Sequence, residues 1–207
     1  PETTVRQRRW PPMPGWAGMI WIVIGYLSGS WLAAVSVCRW AGVDDPRFCG
    51  SYNPGFSNVL RLYGPRLAAA TLLLDALKGV PAVLAAKWLT LPVWLQGVVG
   101  LAVLLGHSYP LWYGFRGGKS VSSAFGVLLV LVPSVALLTA LGWTLLAWRL
   151  RTAAAASLAC ALLAPLLCLW LAPGYVSVVG GFSLLVLARH GLNIRRLRRG
   201  DEPHLRG

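Results

Sequence analysis

The stretch SVSSAFGVLLVLVPSVALLTALGWTLLAW, residues 120–148, carries no charged side chain over 29 positions and has Pro133 near its centre. A helix that crosses a bilayer needs about 20 mostly apolar residues. The stretch is therefore long enough to span, and it contains its own interruption. Proline removes an intrahelical N–H and clashes with the turn before it. Two readings follow: one kinked helix, giving six spans in the chain, or two helices meeting at Pro133, giving seven.

Apolar runs flank this stretch on both sides. Residues 10–38 predict a helix near 16–37. Residues 67–86 form another run, interrupted by Asp75 and Lys78, and residues 88–115 a third. Residues 152–188 are too long for one span and contain Pro173-Gly174, a pair that punctuates such runs, so helices are expected near 153–171 and 175–188. The whole chain is 57% hydrophobic and 12% charged, against about 25% charged in soluble domains. An all-α integral membrane protein is expected.

The net charge of +13 would suggest nucleic acid in a soluble protein. Here the cations flank apolar runs, so anionic membrane lipid is the expected contact and no nucleic acid is. With two helices in 120–148, the loops at 38–66, 113–120 and 149–152 fall on one side with the C-terminus. That side holds 14 of the 19 cations. The positive-inside rule makes it cytoplasmic. The preferred reading is therefore seven transmembrane helices with the N-terminus outside and the C-terminus cytoplasmic, although Arg6, Arg8 and Arg9 oppose it. It divides the chain into an N-terminal tail (1–15), one transmembrane domain (16–194) and a basic tail (195–207). Cys38, Cys49, Cys160 and Cys168 form no CxxC pair and no zinc-like group with histidine, so neither a metal nor another cofactor is expected. No A-x-A-like site follows the first apolar run, so no cleavable signal peptide is expected.

In this topology four polar elements share the cytoplasmic face. The first is Gly50-Ser51, Asn53-Pro54-Gly55 and Ser57-Asn58, a glycine-rich loop whose amides can form an anion nest, followed by Arg61, which can pair with phosphate. A plain surface turn has the same composition. The second is Gly106-His107-Ser108-Tyr109-Pro110 with Arg116-Gly117-Gly118-Lys119-Ser120, which places glycine amides and a lysine just before a helix N-terminus. It is not a Walker A loop, because Tyr113 stands where that spacing requires glycine. The third joins His190 and Asn193, three apart and so on one helix face, to the arginines 195–199, which alone read as a lipid-headgroup patch. The fourth is Asp75 and Lys78 inside an apolar run. It is either a functional pair or a self-neutralising one. Together these elements predict a basic pocket where a small anionic substrate meets a lipid-soluble one.

These segments resemble the bacterial acyl-phosphate:glycerol-3-phosphate acyltransferases, the PlsY family. Gly50-Ser-Tyr-Asn-Pro-Gly-Phe-Ser-Asn-Val-Leu-Arg61 is similar to its GSGNxGATNVxR motif. GHSYPLWYGFRGGKSVSS, residues 106–123, is similar to GHxxPxxxxFKGGKGVAT, and residues 189–197 match RHxxNIxRL. Asp75-Ala-Leu-Lys78-Gly79 resembles the family's DxxKG. The resemblance implies a seven-helix enzyme of the bacterial inner membrane that acts in phospholipid synthesis. Such an enzyme moves a fatty acyl group from acyl phosphate to the 1-hydroxyl of glycerol 3-phosphate, giving lysophosphatidic acid and phosphate. It implies catalytic roles for Ser51, Arg61, Lys119, His190 and Asn193. It implies substrate binding by Asn53, Ser57, Asn58, Arg116, Gly117, Gly118, His107, Lys78 and Asp75.

The HxxxxD pair of other glycerolipid acyltransferases is missing, since Trp112 and Arg195 stand five positions after His107 and His190. Several positions depart from the family pattern: Tyr52 for Gly, Phe56 for Ala, Ser120 for Gly, Ser122-Ser123 for Ala-Thr, and Ala153 to Ala156 where serines are usual. A second reading is therefore a degraded or repurposed member that binds a lipid phosphate or a partner membrane protein. A third, a small-anion transporter, needs charges along a path through several helices, and only Asp75 and Lys78 qualify.

Overall fold

The computed structural model describes residues 15–205 and contains, among them, only helices joined by turns. In chain order these are α1 (Gly15–Gly29), α2 (Ala33–Trp40), α3 (Phe56–Tyr63), α4 (Pro65–Leu77), α5 (Val80–Trp88), α6 (Val93–Ser108), α7 (Val121–Leu131), α8 (Pro133–Leu150), α9 (Ala153–Leu171), α10 (Val176–Arg189) and α11 (Gly191–Arg199). The stretch around Pro133 is divided. Val132 leaves helical geometry at φ −141°, ψ 76°, and Pro133 begins α8 at the first-turn position where its missing N–H costs nothing.

Among the described residues, four helical segments are long and apolar enough to cross a bilayer: Gly18–Trp40, Pro65–Trp88, Pro133–Leu150 and Ala153–Leu171. Pro173–Arg189 and Gly191–Arg199, bent by 57°, make a fifth if taken together. At 16 and 11 residues, α6 and α7 are shorter than a full span, and their apolar faces lie against neighbouring helices. The N-terminal tail to residue 14, with Arg6, Arg8, Arg9 and Trp10, lies outside the described residues, as does Arg206.

The helices pack around Val99, Val103, Leu104, Val127, Val135, Val179 and Phe182. In a bilayer lipid tails are as apolar as leucine, so close fit rather than water exclusion holds helices together. Gly126 on α7 shows this. A methyl there would strike the backbone of Ala76 on α4. That contact brings α7 beside the polar C-terminal end of α4.

The loop at 47–64 is more ordered than its composition suggests. Its second half is α3, a helix that the glycine and asparagine content conceals. Phe56, Val59, Leu60 and Tyr63 recur at helical spacing and pack on Ala34, Cys38 and Ala68. Gly55 enters this helix in extended geometry and Gly64 leaves it at φ 86°. So α3 is seated on α2 and α4.

Candidate active site

The first polar element is organised by Asn58. Its side chain is fully buried. Its Oδ1 accepts the Ser51 amide at 2.9 Å, and its Nδ2 donates to the carbonyls of Pro46 and Cys49 at 3.0 and 3.1 Å. Asn58 therefore holds the turn in shape, and its hydrogen-bonding atoms are engaged by the protein. The Arg61 guanidinium donates to Ser51 Oγ at 3.2 Å. Tyr52 takes the left-handed conformation, φ 60°, which fits a position that glycine would occupy without strain. Its ring is 67% exposed and stands apart from the cavity described below.

The second element is a tightly braced loop. The His107 carbonyl accepts the Gly118 amide at 3.0 Å. Gly117 and Gly118 lie so close to His107 that a Cβ on either would collide with its carbonyl oxygen or its ring. Arg189 donates to the carbonyls of Gly118 and Gly117 at 3.1 and 3.0 Å and stacks on Tyr109. Ser120 Oγ donates to the Leu104 carbonyl at 2.6 Å and receives Ser108 Oγ at 2.7 Å. Between these anchored residues stands Lys119, which lines the cavity. Burial is the main cause that lowers its pKa to about 8. Glu202 opposes the shift, while Arg61, Arg196 and Arg189 add to it. Arg116 is exposed and, with Gly117 and Gly118, is not part of the cavity wall. The two glycines shape the loop rather than line the pocket.

Asp75 and Lys78, at the C-terminal end of α4, form a buried network. Lys78 Nζ donates to Asp75 Oδ1 at 2.9 Å, to the Trp31 carbonyl at 2.8 Å and to His107 Nδ1 at 2.7 Å. That last bond leaves the ring proton of His107 on Nε2. Desolvated charges persist only when paired and hydrogen-bonded, and Lys78 meets this condition. Asp75 and His107 border the cavity, and Lys78 does not. The network thus sits directly behind the Gly117-Gly118-Lys119 loop through His107.

His190 falls at the bend between α10 and α11. Its Nδ1 donates to the Val186 carbonyl at 2.7 Å, which leaves Nε2 as its acceptor atom. Asn193, one turn on, donates to Glu202 Oε1 at 2.6 Å. Glu202 is a site residue that sequence reasoning missed. It lines the cavity, and its Oε2 is buried without a hydrogen-bond partner among the described residues. The segment carrying it is tied back where the Leu205 amide meets the Arg151 carbonyl at 2.8 Å. One signal for it was available: the acidic pair Asp201-Glu202 within an otherwise strongly basic tail.

These elements enclose one cavity of about 390 Å³ with two chemical ends. Ser51, Asn53, Ser57, Arg61, Lys119, His190 and Asn193 line the polar end, and Glu202 joins them. Leu72, Phe125, Leu128, Ala161, Val179 and Phe182 line the other, with Ala153 and Ala154 also in the wall. The apolar end draws its residues from four helices, α4, α7, α9 and α10, so no contiguous motif announces it. A cationic pocket continuous with an apolar groove can hold a phosphate ester beside a fatty chain.

Such a pocket, inside a helical multi-pass membrane protein, fits an acyltransferase of membrane lipids. Residues 19–200 match the family described as glycerol-3-phosphate acyltransferase. The chain is 60% identical over 185 residues to the glycerol-3-phosphate acyltransferase of Chromohalobacter salexigens, covering 89% of this chain and 90% of that one. It is 44% identical over 188 residues to that of Pseudomonas aeruginosa, covering 90% and 100%. It also superposes on the crystal structure of PlsY (YgiH), an integral membrane glycerol 3-phosphate acyltransferase, in its glycerol 3-phosphate form. There the TM-score is 0.84 at 33% identity, covering 91% of this chain and 95% of that one. The lysophosphatidic acid form of the same protein gives 0.82. The chain belongs to the glycerol-3-phosphate acyltransferase family, and it is a membrane acyltransferase of phospholipid synthesis.

Proposed function

We propose that this enzyme takes its acyl group from acyl phosphate and delivers it to the 1-hydroxyl of glycerol 3-phosphate. The observation that carries this reading is the two-ended cavity, with Lys119 and Arg61 at the polar end and an apolar groove beyond. The hydroxyl oxygen bonds to the acyl carbon, and the bond from that carbon to the phosphate oxygen breaks. The hydroxyl proton passes to the departing phosphate, and the products are lysophosphatidic acid and inorganic phosphate. Acyl phosphate is already activated, so no strong protein base is required.

Lys119 and Arg61 orient the two phosphates and stabilise the one that leaves. Ser51, Asn53 and Ser57 complete the anion cradle. His190 Nε2 and Asn193 hold the acceptor, and Glu202 keeps the cationic cluster together. Asn58, Asp75, Lys78, His107, Gly117 and Gly118 act on the substrate through the loops they brace. The exposed Arg116 serves as part of the basic surface. Tyr52 outside the cavity wall favours an active site over a degraded one.

The arrangement in the membrane follows the charge asymmetry: seven spans, the N-terminus outside and the motif loops on the cytoplasmic side of a bacterial inner membrane. Residues 16–194 form the transmembrane domain, and the segment after 195 folds back over the pocket.

Replacing Lys119 by alanine is the direct test. A preorganised charge at a developing anion contributes about 10²–10³ in turnover, so K119A is expected to lose at least that in protein that still folds, with K119R partly active. Turnover retained in K119A would overturn the assignment of Lys119.

A further inference from the structure

Arg47 precedes the glycine-rich loop and is committed within its own turn. Its amide and Nε donate to Asp45 Oδ1 at 2.9 and 3.1 Å, and its Nη2 donates to Asp45 Oδ2 at 2.7 Å. A guanidinium forked onto a carboxylate in this way is held in one direction. The turn behind it is equally fixed. Asn58 Nδ2 donates to the carbonyl of Pro46, the residue before Arg47, and Asn58 Oδ1 accepts the Ser51 amide. The Tyr63 hydroxyl donates to the Asp44 carbonyl at 2.9 Å. Residues 44–51 therefore form one braced unit that includes Ser51, to which Arg61 donates.

From this unit the Arg47 guanidinium reaches the loop that carries Lys119. It lies 5.0 Å from the ring centre of Tyr113 and 5.3 Å from that of Phe48. A cation within about 6 Å of an aromatic ring centre, over its face, is attracted to it. Tyr113 ends the short helical turn Leu111–Tyr113, and its carbonyl accepts the Arg116 amide at 3.3 Å. Tyr109, just before that turn, carries the Arg189 guanidinium at 4.8 Å, and Arg189 also holds the Gly117 and Gly118 carbonyls. The Lys119 loop is thus held by two arginine-on-tyrosine stacks, one from α10 and one from the Ser51 turn. Arg47 and Tyr113 are half-buried and neither lines the cavity, so the pair acts through the loops it joins.

We propose that Arg47 is a positioning residue. Its stack on Tyr113 sets the separation between Ser51 and Arg61 on one side and Lys119 on the other, and through it the affinity for glycerol 3-phosphate. The proposal rests on the reading above that these side chains hold phosphate. A phosphate reached from two loops is bound at full strength only while their spacing is kept. Loss of the stack lets one loop drift from the other, and a small displacement of a binding group is costly.

The test measures binding of glycerol 3-phosphate by calorimetry to purified protein in lipid, without an acyl donor. Wild type is compared with R47M, Y113L, Y113F and R47M/Y113L. R47M and Y113L are each expected to weaken Kd by about tenfold. Y113F keeps the ring and should bind as wild type does. R47M/Y113L should be no weaker than the weaker single variant, because both changes remove the same contact. A role in folding alone would lower the amount of protein that binds and leave Kd unchanged, and that result would overturn the proposal. Single effects that multiply in the double variant would overturn it too. Y113L leaves the Arg47–Asp45 pair in place, so it decides the question if R47M does not fold. K119A and R61A test the underlying reading separately. If neither weakens binding, the phosphate reading fails and the proposal with it; if either does while R47M and Y113L do not, the proposal alone fails.

Discussion

In the proposed mechanism Lys119 is the residue on which the chemistry turns, and its environment sets a pH dependence. Burial and neighbouring arginines bring its pKa to about 8, so the ammonium is charged below that pH and lost above it. Turnover that needs the charge is expected to hold at pH 7 and fall as pH rises through about 8. A kcat/KM profile flat to pH 10 would contradict this. The stability effect has the opposite sign. Between pH 8 and the ordinary lysine range the unfolded chain binds the proton that folded Lys119 has given up, so this group's contribution to stability rises with pH. Tyr52 gives a second prediction at this scale. It holds φ 60°, which costs a non-glycine residue about 1–2 kcal/mol, part of which a glycine would lose again through unfolded-state entropy. Y52G should therefore leave turnover within about twofold and shift thermal stability little or upward. A large change in turnover would mean that the ring reaches the substrate.

At the scale of elements, the glycines before α7 are a matter of steric fit to His107. G118A would push the loop from the His107 ring and displace Lys119. Turnover should drop by about 10², while the protein stays folded by near-ultraviolet circular dichroism; full activity would show that the loop tolerates the shift. The same elements show what a sequence makes legible. Pro133 announced a break because proline acts locally through its own ring, and the structure divides the chain there. Asp75 and Lys78 announced a buried pair because charge in an apolar run is costly anywhere. Hidden from that view were α3, masked by turn-forming residues around an apolar stripe, and the bracing role of Asn58, whose three partners depend on how the turn closes. Glu202 was hidden because its contact with Asn193 needs the chain to fold back after α11.

At the scale of the whole molecule, the charge distribution and the two-ended cavity describe one device. In the proposed reaction, a water-soluble phosphate ester enters among cations at the membrane surface, and a fatty chain stays in an apolar groove while its head reaches them. The membrane spans supply the groove, and the loops between them supply the charge. Most of the charge was readable in the motifs, whereas the groove emerged only from packing. The most direct measurement follows formation of lysophosphatidic acid from glycerol 3-phosphate by purified protein in lipid. The donor is either palmitoyl phosphate or a palmitoyl thioester, with K119A as control. Product from palmitoyl phosphate alone, matched by phosphate release and lost in K119A, is the predicted result. Product from the thioester at an equal rate, or no product from palmitoyl phosphate in folded wild-type protein, would contradict the account.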